Sequence, residues 1–210
     1  MYSAAEERFN IASHKFGLAL SGLALGLLVL HAGSNGGYLH VFSFAVFGLS
    51  LIVLYGASTL YHSTADPELR HQLRIVDHAA IYVLIAGTYT PFALITLDGA
   101  SGKLILAAVW SMAICGVVLK LYFTGQFTRL STLMYIIMGW MMIFAIKPLR
   151  ENLAAEGVAW VLAGGIAYTT GALLYAIKRI RFNHAIFHIF VLLGSFCHFI
   201  AVYFYVLPVD

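Results

Sequence analysis

The sequence predicts an all-α membrane protein: a single bundle of seven transmembrane helices. Of its 210 residues, 61% are hydrophobic and only 10% are charged, whereas a soluble domain carries about 25% charged residues. The charges fall in clusters, and the apolar stretches between them approach the roughly 20 residues that a helix needs to cross a bilayer. The connecting segments are short, which leaves no room for a separate soluble domain.

The intervals free of Asp, Glu, Lys and Arg place the helices in order. There are six such intervals, and the first, 16–65, holds two spans because the turn-forming residues 33–37 divide it. Each later interval holds one span. In the third span, Pro91 predicts a kink. The predicted spans are 17–33, 39–61, 75–97, 103–123, 130–148, 157–177 and 185–207, in one domain of residues 1–210.

The basic residues predict the orientation. With the N-terminus inside, nine of the twelve lysines and arginines lie on the cytoplasmic side and three on the other. Because basic loops remain in the cytoplasm, we expect a cytoplasmic N-terminus and, after seven spans, a C-terminus outside. The net charge of +3 then reflects topology and contact with anionic lipid, and we expect no nucleic-acid partner.

Ionisable side chains at the ends of spans are the candidate functional residues, because they are costly in a bilayer. Ser58 and His62 lie four residues apart, as do His184 and His188, so each pair shares one face of its helix. In the predicted topology His62 ends the second span, Asp77 begins the third and the other two histidines begin the seventh. All of them reach the cytoplasmic side at the same depth.

This convergence predicts a zinc site. Catalytic zinc takes three protein ligands and leaves a fourth position for water, and His62, His184 and His188 can supply the three. Asp77 is either a fourth ligand or an acceptor that orients the water, and Ser58 contributes one hydrogen bond close by. A zinc ion held in this way activates water for attack on a carbonyl group.

Each candidate taken alone also has a simpler interpretation. The histidines can contact lipid headgroups at the membrane surface, Asp77 can pair with Arg74, and Ser58 can bond the carbonyl one turn back. The metal site is favoured because the simpler interpretations require four polar groups to lie at the same membrane depth by coincidence. His198 lies ~15 Å beyond His188 along the helix, so we expect a buried hydrogen-bond partner or part of a polar path. Four further histidines are expected in termini, loops or outer rims, without a role: His14, His31, His40 and His71.

Several motifs in order resemble one known family. They are Ala57-Ser58-Thr59-Leu60-Tyr61-His62, Asp77-His78, Gly87-Thr88-Tyr89-Thr90-Pro91, Asn183-His184-Ala185-Ile186-Phe187-His188 and Cys197-His198. The chain resembles the bacterial hemolysin III family, the prokaryotic branch of the progestin and adipoQ receptor proteins within the alkaline ceramidase-like superfamily. The resemblance implies a seven-helix protein of the bacterial inner (cytoplasmic) membrane. It also implies zinc on His62, His184 and His188, with Ser58 and Asp77 at the family's serine and aspartate positions.

Three functional hypotheses follow. The first is a zinc-dependent hydrolase that acts on an amide or ester of a membrane lipid; the resemblance supports it, because eukaryotic relatives of the family are associated with zinc-dependent hydrolysis of lipid amides. The second is a non-enzymatic regulator of membrane composition or energetics, in which a structural zinc ties the second, third and seventh spans together. The third is a pore that uses His198 and the cytoplasmic histidines as relay groups, although Ser195 is the one polar residue between His188 and His198 in the sequence.

Overall fold

The computed structural model describes residues 3–97, 99–123 and 128–207, the side chains of 128 and 129 excepted. Over those ranges the chain is helical and contains no strand. Within the described residues, seven helices are long and apolar enough to cross a membrane, so the predicted fold class is confirmed. Which end faces the cytoplasm stays a prediction.

The helices follow one another through short connections. They are α1 (Ala4–Asn35), α2 (Tyr38–Ser63), α3 (Pro67–Pro91), α4 (Gly99–Phe123), α5 (Thr128–Gly139), α6 (Ile146–Asn152), α7 (Ala155–Ala176) and α8 (Asn183–Ala201). The 3₁₀ turn Met141–Ala145 joins α5 to α6, and together they form the fifth span. After Pro91, α3 continues as the π-helical segment Phe92–Thr96, because proline removes a backbone hydrogen bond and crowds the preceding turn.

The first helix is longer than its predicted span and begins at Ala4, not at residue 17. Ser3 caps it, since its hydroxyl accepts a hydrogen bond from the Glu6 amide at 3.2 Å. Glu6 and Glu7 lie in the first turn, where the helix dipole favours acidic side chains. The charged residues that end the apolar interval therefore belong to the helix, and the first turn of α1 is polar.

Close helix contacts hold one side of the bundle together. α1 packs on α2 and α8, α2 packs on α3, and α7 packs on α8. Gly17 of α1 faces the ring of Tyr55, and Gly87 of α3 faces Ser50 of α2; a methyl group at either glycine would lie 2.5 Å or less from that side chain. Small residues permit such close contacts, which is how helices associate in lipid.

The other side of the bundle contains a partly open cavity of about 530 Å³. Side chains from α3, α5, α7 and α8 form most of its wall, and α1 and α2 close one end with His14 and Ser58. The wall is largely apolar, and it includes Asp77, His184 and His188 near one end and His198 further along α8. The fold therefore places the candidate residues beside an internal space.

Candidate metal centre

Two helix ends position the three histidines. His62 lies in the last turn of α2, and His184 and His188 lie in the first two turns of α8. Phe182, just before α8, has the left-handed angle φ 59°, which is uncommon for a bulky residue. The Asn183 side chain donates to the Tyr175 carbonyl at 2.7 Å. These contacts fix where α8 begins and therefore where its first histidine lies.

The Nε2 atoms of the three histidines meet at one point. The Nε2 atom of His184 lies 3.1 Å from that of His62 and 3.1 Å from that of His188. One ligand atom from each ring lies within 4.8 Å of the others. All three residues are buried, with exposed fractions of 2%, 5% and 2% for His62, His184 and His188. Imidazoles gathered in this way can hold one metal ion.

Contacts from α1 determine which nitrogen of His62 carries the proton. Its Nδ1 atom lies 3.0 Å from a carboxylate oxygen of Glu7. A carboxylate accepts hydrogen bonds, so Nδ1 is the donor. In the neutral ring, Nε2 then carries a lone pair that points towards the other histidines.

The same logic applies to His188. The Ser13 hydroxyl donates to the Asn10 carbonyl at 3.1 Å and lies 3.3 Å from Nδ1 of His188. Because the one hydroxyl proton is already donated, Ser13 accepts a hydrogen bond from Nδ1. The Nε2 atom of His188 therefore also presents a lone pair to the cluster.

This donor set fits a metal ion better than it fits a hydrogen-bonded cluster. Nε2 of His184 faces two lone pairs, and a single N–H group there can serve only one of them well. A metal ion accepts a lone pair from every ring. Neutral imidazole nitrogens are ligands that zinc, copper, iron and nickel accept.

Asp77 and Ser58 lie beside the histidine cluster and line the same cavity. Asp77 is 8% exposed, close enough to His62 and His184 for electrostatic interaction, and 3.3 Å from Nδ1 of His78. It is not among the mutually close ligand atoms found in the described residues. The alternative ion pair with Arg74 is not among the salt bridges of that part of the chain.

The Ser58 hydroxyl is buried at 1% exposure. It has no hydrogen-bond partner among the residues that the structure describes, so the alternative bond to the carbonyl one turn back is not formed there. A buried hydroxyl without a partner is costly. Its position in the cavity wall leaves it available to a bound molecule.

Comparison with known proteins identifies the family. The family model for haemolysin-III-related proteins matches residues 2–199. The chain belongs to the haemolysin III family. "Hemolysin-3" of Bacillus cereus is 50% identical over 203 residues, which cover 97% of this chain and 93% of the relative. "Hemolysin-3 homolog" of Bacillus subtilis (strain 168) is 45% identical over 209 residues, covering 100% and 98%.

The chain also has a more distant similarity to a human protein. The human "Monocyte to macrophage differentiation factor" is 25% identical over 173 residues, covering 79% of this chain and 71% of the relative. The resemblance that the sequence motifs predict, to the hemolysin III family and its receptor relatives, is confirmed.

The site predicted for this haemolysin III protein includes no residue of α1, although side chains of α1 contact the histidines. His14, expected in a terminus without a role, is 3% exposed and stacks on His188 with ring centroids 3.5 Å apart. Glu7 and Ser13 contact the outer nitrogens of two histidines. A sequence signal exists, because Glu7, Asn10 and His14 lie three and four residues apart on one helix face.

His198 lies in a second polar cluster, deeper in the haemolysin III bundle. Its ring stacks on Tyr168 with centroids 5.6 Å apart. One turn earlier, Ser195 accepts a hydrogen bond from Tyr55 at 2.7 Å and lies 2.9 Å from the Tyr168 hydroxyl. Nδ1 of His198 is buried without a hydrogen-bond partner in the described residues. Among the described residues, His198 is not part of the group of mutually close metal-ligand atoms.

Proposed function

We propose that this chain is a zinc-dependent hydrolase that cleaves an amide or ester of a membrane lipid, and that it contributes to membrane lipid homeostasis. The observation that carries the proposal is the convergence of three histidine Nε2 atoms beside an apolar cavity. We place the site at the cytoplasmic side of the bacterial inner membrane, following the distribution of lysine and arginine.

The cavity supports a lipid substrate. Its volume of about 530 Å³ lies within the roughly 300–1,000 Å³ of typical ligand pockets. It extends from the histidines to His198, a distance of ~15 Å along α8, between walls that are mostly aliphatic and aromatic. An acyl chain fits such walls, and its amide or ester group would then lie beside His184, His188 and Asp77.

The residues around that position have complementary tasks. A zinc ion on the three histidines would supply Lewis-acid activation of water and of the carbonyl group. The Asp77 carboxylate accepts a proton from the attacking water and returns it to the leaving amine or alcohol. Ser58 donates a hydrogen bond to the reacting group. Water adds to the carbonyl carbon, the C–N or C–O bond breaks, and the products are a carboxylic acid and an amine or alcohol.

The test uses purified, zinc-loaded protein in vesicles that contain a panel of fatty-acyl amides and esters, with release of free fatty acid as the readout. Wild type is expected to hydrolyse at least one member. Asp77→Asn is expected to lower that rate by about 10²–10⁴-fold, the usual effect of a general acid–base residue, and to keep its zinc.

The matched control is Asp66→Asn on the same helix. Asp66 is exposed and caps α3 through the Leu69 amide at 2.8 Å, and asparagine caps equally well, so wild-type activity is expected. Zinc-loaded protein that hydrolyses no member of the panel, or an Asp77→Asn variant with full activity, would contradict the proposal.

A structural zinc is the second candidate, and one observation favours it. The three histidines come from α2 and α8, so a metal ion would bind the two helices together at one end of the bundle. In that case zinc raises the thermal stability of wild type and of Asp77→Asn equally, and the protein acts as a non-enzymatic regulator of membrane composition. Unchanged physiological activity in Asp77→Asn would support this role.

A further inference from the structure

We infer that α1, which supplies no ligand, positions two of the three histidines for metal binding through Glu7 and Ser13. The inference rests on the proposed metal site. Its basis is that two side chains of α1, Glu7 and Ser13, contact the outer nitrogens of His62 and His188. Carboxylates and other acceptors at this position orient metal-binding histidines and raise their basicity.

Glu7 is itself held in place. The same carboxylate oxygen that accepts from His62 also accepts from the Asn10 amide at 3.2 Å. The other oxygen pairs with the guanidinium of Arg70, which also donates to the Thr64 carbonyl at 3.1 Å. With both oxygens engaged, the carboxylate cannot turn away, so it keeps the proton of His62 on Nδ1 and the lone pair on Nε2.

Ser13 and His14 act together on His188. Ser13 accepts a hydrogen bond from Nδ1, which fixes the tautomer. His14 lies face to face with the ring at an interplanar angle of 17°, which restricts rotation of the ring plane. The other face of His14 is also occupied, because its ring packs edge-on against Tyr55 with centroids 5.1 Å apart.

Together these contacts make α1 the common support of ligands from two other helices. Glu7 reaches α2, and Ser13 reaches α8 about two turns further along α1. Each contact places an acceptor on Nδ1, and each therefore presents Nε2 to the same point. Without them, both rings can adopt the other tautomer or rotate away, and the metal ion loses preorganised ligands.

The experiment measures zinc affinity by competition with a chromophoric chelator in wild type, Glu7→Ala, Glu7→Gln, Ser13→Ala and the control Glu6→Ala. Glu7→Ala is expected to weaken zinc binding about 10–100-fold, as loss of such an acceptor typically does. Glu7→Gln is expected to weaken it less, because the amide oxygen still accepts from Nδ1. Glu6→Ala removes the neighbouring acid and should stay within about twofold of wild type.

A second readout separates positioning from general destabilisation. The visible absorption spectrum of Co²⁺-loaded protein reports ligand geometry, and we expect it to change in Glu7→Ala and in Ser13→Ala but not in Glu6→Ala. Ser13→Ala leaves the pair of Glu7 with Arg70 intact, so it tests the inference even where Glu7→Ala folds poorly.

The outcomes separate this inference from the proposed function. Wild type that binds zinc, with Glu7→Ala and Ser13→Ala that match it in affinity and spectrum, would overturn the role of α1 and leave the metal site standing. Wild type that binds no zinc would overturn both.

Discussion

Two polar clusters include residues of the same helix, α8, and they differ in whether their polar atoms are satisfied by hydrogen bonds within the cluster. Near the start of α8, the Nε2 atom of His184 lies 3.1 Å from the Nε2 atoms of His62 and His188, and the outer nitrogens of those two rings contact α1. Further along α8, Ser195 forms hydrogen bonds with Tyr55 and Tyr168, and His198 stacks on Tyr168. In the first cluster, nitrogen lone pairs point towards the other histidines. In the second cluster, hydroxyl groups form hydrogen bonds with one another.

The difference shows how a buried polar cluster in a bilayer can be assigned to structure or to function. Hydroxyl groups donate and accept, so three of them can satisfy one another and hold helices α2, α7 and α8 together. His62 and His188, with their protons turned outward, present two lone pairs on the inner side, and the single Nε2 atom of His184 cannot satisfy both of them. The inner side of the histidine cluster is therefore suited to a metal ion, which accepts several lone pairs at once.

Removal of a histidine is expected to have the largest effect on zinc binding, and only in the first cluster. His184 faces both other rings, so His184→Ala is expected to weaken zinc binding by more than about 100-fold, beyond the effect of losing an outer acceptor. His198→Ala removes the same group from the same helix and should leave the zinc content unchanged. Metal analysis of the purified proteins by plasma mass spectrometry measures both. Equal zinc content in the two variants would remove the distinction between the clusters.

A smaller effect is expected when the second cluster loses its central hydroxyl. Ser195→Ala leaves the Tyr55 and Tyr168 hydroxyls without this partner, and one interhelical hydrogen bond in a membrane protein contributes about 0.6 kcal/mol. We expect a loss of about 1 kcal/mol in the free energy of unfolding, measured by denaturant titration in detergent, and unchanged zinc affinity. Zinc affinity that falls in Ser195→Ala would couple the two clusters.

The sequence predicts the helices and the histidine set because both follow from local rules. Long charge-free intervals must be buried in lipid, and a spacing of four residues puts His184 and His188 on one helix face. The topology then brings His62 to the same end. None of this needs side-chain packing, which is why the set is found without coordinates.

The contribution of α1 and the cavity depend on packing, so the sequence predicts neither. Because charged residues end the first apolar interval, hydropathy does not show that the helix begins at Ala4, and the predicted span leaves out Glu7 and His14. That His14 stacks on His188 depends on how α1 lies against α8. The sparse packing of α5 on its neighbours and the cavity that α5 helps to line are not revealed by hydropathy.

Zinc binding by the three histidines is tested most directly by X-ray absorption at the zinc edge, on wild-type protein purified without added chelator. We expect one zinc ion per chain with three imidazole nitrogens at ~2.0–2.1 Å and a light atom at the remaining position. Protein that retains no zinc after loading, or a spectrum without the scattering of imidazole rings, would contradict this expectation.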